Sequence, residues 1–262
     1  MPIKFKLLFL FTLILLTSAD NSQMARNEAF SNGEELNFKV KYLFFNAAEA
    51  KMVTDPNTHN INGRPTYKID VFGRTLSIFR IFYVKDNWGT YLDTAKLIPH
   101  QSYRHIEEGN YRKHEIVSFD HNKKKADVKL MDRDNKRVVE THSYNIPPNA
   151  QDLVSGFYQL RTMKLSHLKE GESVTIKGFF DKETYNLKLI YGGKETISTK
   201  IGKFETMIFS PVMPNNKLFS GDFPIKVWIT NDKNKIPVKI KANMVVGALD
   251  MEITDAQNLR NN

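Results

Sequence analysis

The residues best suited to chemistry at neutral pH are seven histidines, His59, His100, His105, His114, His121, His142 and His167. None sits in an H-E-x-x-H arrangement. His100 and His105 are five positions apart, so on one strand they point to opposite faces. His105 and His114 flank Gly109-Asn110 and would meet across a hairpin, with Glu107 nearby. That pair is the one candidate metal site. Zinc takes three or four protein ligands, so a solvated histidine pair is the competing reading. Ser155-Gly156 lies within a helical pattern and lacks the strand-to-helix turn of a nucleophile elbow. No glycine-rich phosphate loop is present. The carboxylate pairs Glu107-Glu108, Asp132 with Asp134, and Asp181 with Glu183 fall in turns, where solvation explains them. With no cysteine in the chain, disulfides, thiol catalysis and cysteine-ligated clusters are excluded. These observations predict a protein that is not an enzyme and has no cofactor. A cleft holding two carboxylates about 5–10 Å apart would reopen the hydrolase reading.

Two further groups are candidates for ligand binding. One is Trp228 with Asp232, in the stretch VWITNDKNKIPVKI, Val227 to Ile240. An alternating apolar run enters a charged turn, Asn231 to Lys235, and a second alternating run leaves it. Trp228 lining a cavity with Asp232 at its rim is the functional reading, and a core hairpin is the plain one. The other group is aromatic. Phe79 and Phe82 stand in a crowded segment with Tyr83, Trp88 and Tyr91, and Phe157 and Tyr158 lie on the strongest helical pattern.

The elements that must position these residues have mostly period two. Leu36, Phe38, Val40, Tyr42 and Phe44 alternate with polar residues, as in a half-buried strand. Asp55-Pro56-Asn57 is expected to break the following strand, and Asn62-Gly63 to mark a turn. Thr75 to Tyr83 has helical spacing and predicts a short apolar helix, followed by strands through Tyr91, although Ile81, Phe82, Tyr83 and Val84 also read as a strand. The strands around Gly109-Asn110 pair with His105 opposite His114, Glu107 opposite Arg112, and Arg104 opposite Glu115, which twice sets opposite charges face to face. A charged meander, Arg104 to Glu140, has two rather polar faces and is expected to protrude or to pair with another chain. Asn149 is a candidate N-cap of a helix carrying Asp152 in its first turn and Leu153, Phe157 and Leu160 on one face, with Val154 and Tyr158 widening it and Arg161 near its end. Gly192-Gly193 reads as a hairpin turn between two later strands. Some dozen strands with one or two short helices predict a mainly β fold: a large curved antiparallel sheet, or a barrel or half-barrel, with the helices packed on it.

The chain opens with Lys4 and Lys6, an apolar run from Leu7 to Leu16, and Thr17-Ser18-Ala19. This is the pattern of a cleaved secretory signal over residues 1–19, and the run falls short of the about 20 apolar residues of a membrane span. Residues 20–32 read as a flexible leader, 33–254 as a single β-rich domain, and 255–262 as a tail. The expected location is the periplasm. Without a cysteine the protein is not a lipoprotein, and no integral membrane segment follows the signal. The net charge of +9, or +7 without Lys4 and Lys6, comes from interspersed lysines. Export makes nucleic acid an unsuitable partner, whereas a lipid or another envelope component fits a positive exported surface.

DLVSGFYQLR (Asp152 to Arg161), GKETISTKIGKFETMIFSPV (Gly193 to Val212), VWITNDKNKIPVKI followed by Gly247, and the opening pair GEELNFKVKYLFFNAAEA (Gly33 to Ala50) resemble, in order, segments of domain of unknown function family 3108. That family is common among exported proteins of Gram-negative bacteria. Asn46-Ala47 departs from an expected glycine and Thr230 from the usual serine. The resemblance implies an exported β-rich domain and supplies no substrate. The function expected from all of this is an exported binding or carrier module that holds a hydrophobic or lipid-like ligand, or an envelope partner, in a curved sheet. The alternative is a non-enzymatic assembly factor that docks on an envelope protein through strand edges.

Overall fold

The computed structural model describes residues 26–76, 83–212, 220–221 and 223–261. The expected helix over Thr75–Tyr83 falls largely outside them, and Thr75 itself ends a strand. The elements are β1 (Glu35–Tyr42), β2 (Phe45–Ile61), β3 (Arg64–Thr75), β4 (Lys85–Asp93), β5 (Pro99–Glu108), β6 (Tyr111–Asp120), β7 (Lys125–Met131), β8 (Val138–Asn145), α1 (Leu153–Thr162), β9 (Ser173–Phe180), β10 (Glu183–Thr199), β11 (Gly202–Pro211), β12 (Ile225–Thr230), β13 (Pro237–Asn243) and β14 (Ala248–Gln257).

All the strands join one 14-stranded sheet in the order β8-β7-β6-β5-β4-β3-β2-β1-β14-β13-β12-β11-β10-β9. Every neighbouring pair is antiparallel, and β1 joins the first half of the chain to the last strand, β14. The sheet is curved and open, since β8 and β9 stand at its two ends and do not pair with each other. β9 instead lies against the inner face of the far half. Phe179 packs in one cluster with Val117 and Phe119 of β6 and with Ala126 and Val128 of β7. Gln151, just before α1, donates its amide to Lys177 at 2.9 Å and accepts from Phe179 at 2.8 Å. The Asp181 carboxylate reaches Arg104 of β5 at 2.6 Å and Lys113 of β6 at 2.8 Å. The half-barrel is thus held nearly shut by side chains and one short bridge, not by a continuous ladder.

The hairpin register read from the charges is the register found: Arg104 opposite Glu115, His105 opposite His114, Glu107 opposite Arg112. Two expected breaks are bulges inside longer strands. β2 runs through Asp55-Pro56-Asn57, where the register with β3 shifts between Thr54 and Thr58. β10 runs through Gly192-Gly193, where the register with β11 shifts between Tyr191 and Lys194. Proline and left-handed glycine (Gly193, φ 87°) are tolerated at bulges, so turn residues here add twist without reversing the chain. The charged meander does not protrude, because the β6–β7 inner face is covered by Phe179, Ile146 and Ala150. Only β8 remains exposed along its length.

The expected flexible leader is packed from Asn27 onward: Ala29 and Phe30 are buried in the main core. The expected tail is partly strand, since β14 continues to Gln257, and Asn261 is tied to Asn234 by a 2.9 Å bond from its amide. Both segments cover the end of the half-barrel where Leu36, Ile69 and Leu92 are buried.

Candidate functional site

Among the described residues α1 is the only helix, and it lies inside the curve of the sheet. Its N-cap is Asp152, not Asn149. One Asp152 oxygen accepts from the amides of Val154 at 2.8 Å and Ser155 at 2.9 Å, and Ser155 Oγ accepts from the Asp152 amide. Asn149 takes the left-handed conformation (φ 57°), which turns the chain toward the helix instead of starting it. The second Asp152 oxygen accepts a 2.7 Å bond from Thr90 of β4, so the cap also fastens the helix to the sheet. Burial pushes this carboxyl upward, against the bonds from Ser155 and Thr90 that favour its charge. One turn from the other end, Tyr158 lies edge-on to Phe30. Its phenol is pushed up to about 12 by burial and by the Glu34 carboxylate. Arg161, wholly buried, donates to Glu34 at 2.6 and 2.8 Å, to the Asn234 carbonyl at 2.9 Å and to the Ala29 carbonyl at 3.2 Å. Asp152, Tyr158 and Arg161 are therefore anchors of the fold, engaged wholly by the chain itself.

The helix face left over, Leu153, Val154 and Phe157, does not reach the sheet everywhere. Between it and the inner faces of β1–β4 and β12–β14 is an open cavity of about 380 Å³. Its walls include Phe38, Ala50, Met52, Val71, Trp88 and Phe157, closed on the other side by Val227, Ile240 and Met251. Hardly any polar surface is exposed within it. A second apolar cavity of about 180 Å³ lies on the other side of Phe157, against β9–β12, and shares Leu153, Phe157 and Val227 with the first. Phe157 thus stands as a partition between two apolar spaces.

Among the described sequence candidates, Phe157 and Trp88 line the larger cavity, and Phe157 lines both. Tyr158 is one position on and faces the closed core. Trp228 follows Val227, which lines both cavities, so strand alternation directs its ring to the opposite face of the sheet. There its indole N–H donates to Glu195 at 2.8 Å, and the Lys239 ammonium lies 5.8 Å from the ring centre. Asp232 closes its turn, accepting from Thr230 Oγ at 2.7 Å and from the Lys235 amide at 2.9 Å. It borders a separate, polar groove at the C-terminal end of α1 together with Lys164 and Lys233. Trp228 and Asp232 are therefore pinned structural residues that do not converge on the apolar cavity. Phe79 and Phe82 lie outside the described residues. His105 and His114 do meet, with ring centres 5.1 Å apart. Burial and the neighbouring His114 hold the His105 ring below its ordinary pKa. No group of three or more His, Asp or Glu side chains among the described residues is placed to hold a metal ion.

Sequence reasoning missed Ala50, Met52, Val71, Val227 and Met251 as site residues. Period-two alternation marks them as inner-face positions, but it does not say which inner positions the helix leaves uncovered.

The family model for "Protein of unknown function (DUF3108)" matches residues 37–254. The chain belongs to this family. The DUF3108 match takes in most of β1, α1 and all of the cavity walls. No curated protein matches the chain. Among solved structures, the chain is similar to a β-barrel-like protein of domain of unknown function DUF1849 from Brucella abortus, at 10% identity and a TM-score of 0.52. The match covers 88% of this chain and 99% of that one. At that identity the likeness is one of fold, and it agrees with the curved, nearly closed sheet of this DUF3108 member. No helix among the described residues is long and apolar enough to cross a membrane.

Proposed function

We propose that this protein is a periplasmic binding or carrier module that holds a hydrophobic or lipid-like ligand on the inner face of its curved sheet. The observation that carries the reading is the cavity of about 380 Å³ between α1 and β1–β4 with β12–β14. Ligand pockets are roughly 300–1,000 Å³ and mostly apolar with a few polar groups. This one is apolar almost throughout, so it offers no counter-charge to an ionic group and little hydrogen bonding to water. An alkyl or acyl chain is the ligand such walls favour, because each methylene moved from water contributes about 0.8 kcal/mol. Phe157 separates this space from the smaller apolar cavity lined by Leu187 and Phe209. The signal-like start of the chain and the lack of cysteine support a soluble exported protein.

The test is native mass spectrometry of protein exported from a Gram-negative host and purified without detergent, followed by organic extraction. A bound apolar mass supports the reading and gives the ligand class. A clean apo mass from an intact fold counts against it.

One observation favours a second reading, docking on an envelope protein. The edge strand β8 is exposed along nearly its whole length, with Val138 and Val139 among its exposed side chains. Such an edge can accept a strand from another chain. Crosslinking in the native envelope that captures one stoichiometric protein through β8 would favour this reading.

A further inference from the structure

The cavity is closed at one end and not at the other. At the closed end, Phe30, Leu36, Ile69, Leu92 and Tyr158 are all buried to within 1% of full coverage. Toward the other end, the next inner positions on the same strands are Val40, Ala48, Gly73 and Leu249, small or half-buried residues that do not fill the space. That end is bounded by the β1–β2 and β13–β14 turns. The pairing of β1 with β14 sets the two turns side by side, with the Leu43 amide donating to Ala248 at 3.0 Å and the Tyr42 hydroxyl to Val246 at 3.0 Å. The tips are apolar and exposed: Phe44 by 77%, Val246 by 73%, Val245 by 64% and Leu43 by 52%. Single exposed apolar residues are ordinary, but a cluster on two adjoining turns marks a contact surface.

The charges behind the tips say what they would contact. On the outer face behind the turns, Lys226 of β12 stands opposite Lys241, and Lys241 and Lys41 stand on either side of Asp250. Like charges directly opposite each other destabilise a sheet. The nearby carboxylates are already engaged, Asp250 with Lys239 at 3.7 Å and Glu49 with Arg74 at 3.0 Å. Lys41, Lys226 and Lys241 are exposed and make no ion pair among the described residues. Apolar tips with unpaired lysines just behind them match the depth profile of an anionic bilayer, whose apolar region lies beneath negatively charged headgroups. A second copy of the chain would set lysines against lysines.

We infer that the β1–β2 and β13–β14 turns dock this protein on an anionic lipid surface, with the mouth of the apolar cavity toward the bilayer. The inference rests on the carrier reading and adds the surface with which the carrier exchanges its ligand.

Vesicle co-sedimentation of the exported chain tests it, with phosphatidylcholine alone and with phosphatidylcholine containing phosphatidylglycerol as probes. Binding is expected to the anionic vesicles, weakening as salt rises. Phe44→Ser with Val246→Ser should lower that binding by at least about tenfold through lost apolar burial. Lys226→Gln and Lys241→Gln should each lower it by about fivefold and leave binding to neutral vesicles unchanged. These side chains are exposed and outside the cavity, so an unchanged melting curve identifies each variant as folded. Equal binding of wild type and tip variants, no preference for the anionic vesicles, or a tip-dependent dimer in place of vesicle binding overturns the inference. If a ligand co-purifies but vesicles are not bound, the docking inference fails alone. If vesicles are bound but no ligand is found, the carrier reading fails alone.

Discussion

Glu34 and Arg161 are 127 positions apart in sequence, and they meet as a two-pronged ion pair with both side chains wholly buried. Glu34 immediately precedes β1, and Arg161 is in the last turn of α1. The pair therefore ties the helix to the strand that joins the two halves of the sheet. The guanidinium is also 5.0 Å from the Tyr158 ring centre and 5.4 Å from that of Phe30.

Removing one partner leaves the other charge buried without compensation. Arg161→Met or Glu34→Gln alone should cost about 3–5 kcal/mol of stability. The double variant should cost clearly less than the two single losses added together, because no orphan charge remains. Urea unfolding of the four proteins checks this; strictly additive losses would show that the ion pair is not the coupling element.

Ala50 lies on the cavity wall, facing Phe157 across the space. Ala50→Phe should occupy the cavity with the protein's own side chain. The melting temperature should hold or rise, and the co-purifying apolar mass should be lost. A variant that keeps both its fold and its ligand would place the ligand somewhere other than this cavity.

Asp86 is two residues before Trp88 on the same face of β4, near the cavity mouth. Its pKa is raised to about 6, first by burial and further by Glu108 and Glu107, although the Glu107 amide donates to it. A folded pKa above the ordinary carboxylate value means that this group favours the fold at low pH, and that its contribution is lost as pH rises through about 6. Asp86→Asn should therefore flatten the stability profile between about pH 4 and 7 and leave the protein more stable than wild type at pH 8. Thermal melts across that range measure it.

Asp181 acts in the opposite sense. Lys113 and Arg104 hold its carboxyl down at about 2. Its contribution is present above the ordinary carboxylate value and lost as pH falls toward 2. The side chain is 60% exposed, so solvent screens the interaction and the effect is modest. Asp181→Asn should destabilise the protein at neutral pH and make the acid side of its profile shallower. The same variant should raise hydrogen exchange in β9, whose turn Asp181 pins to β5 and β6. Unchanged exchange there would show that other contacts hold the half-barrel shut.

Much of the architecture was legible in the residues because it depends on neighbours in sequence. Alternation in Leu36, Phe38 and Val40 marks a half-buried strand, and the charges around Gly109-Asn110 set a hairpin register that the structure contains. Turn chemistry was a weaker guide. Asp55-Pro56-Asn57 and Gly192-Gly193 have the residues of a turn, and whether such residues reverse the chain or bulge it depends on the strand beside them. Asp152 and not Asn149 caps α1, since Asn149 turns the chain in the left-handed conformation, and Thr90, 62 residues away, holds the second Asp152 oxygen.

The sequence alone determined the β class, the alternation of faces along strands such as β1, the lack of thiol chemistry and the family. These are local or compositional properties. The tertiary structure decided that Trp228 is pinned to Glu195 on the face away from Phe157, that His105 and His114 meet without a third ligand among the described residues, and that Arg161 is spent on Glu34. It also decided that a helix ten residues long leaves an apolar space against a sheet of fourteen strands. Period two assigns a residue to a face. Only the closure of the sheet around α1 determines which residues of that face are covered and which remain free to meet a ligand.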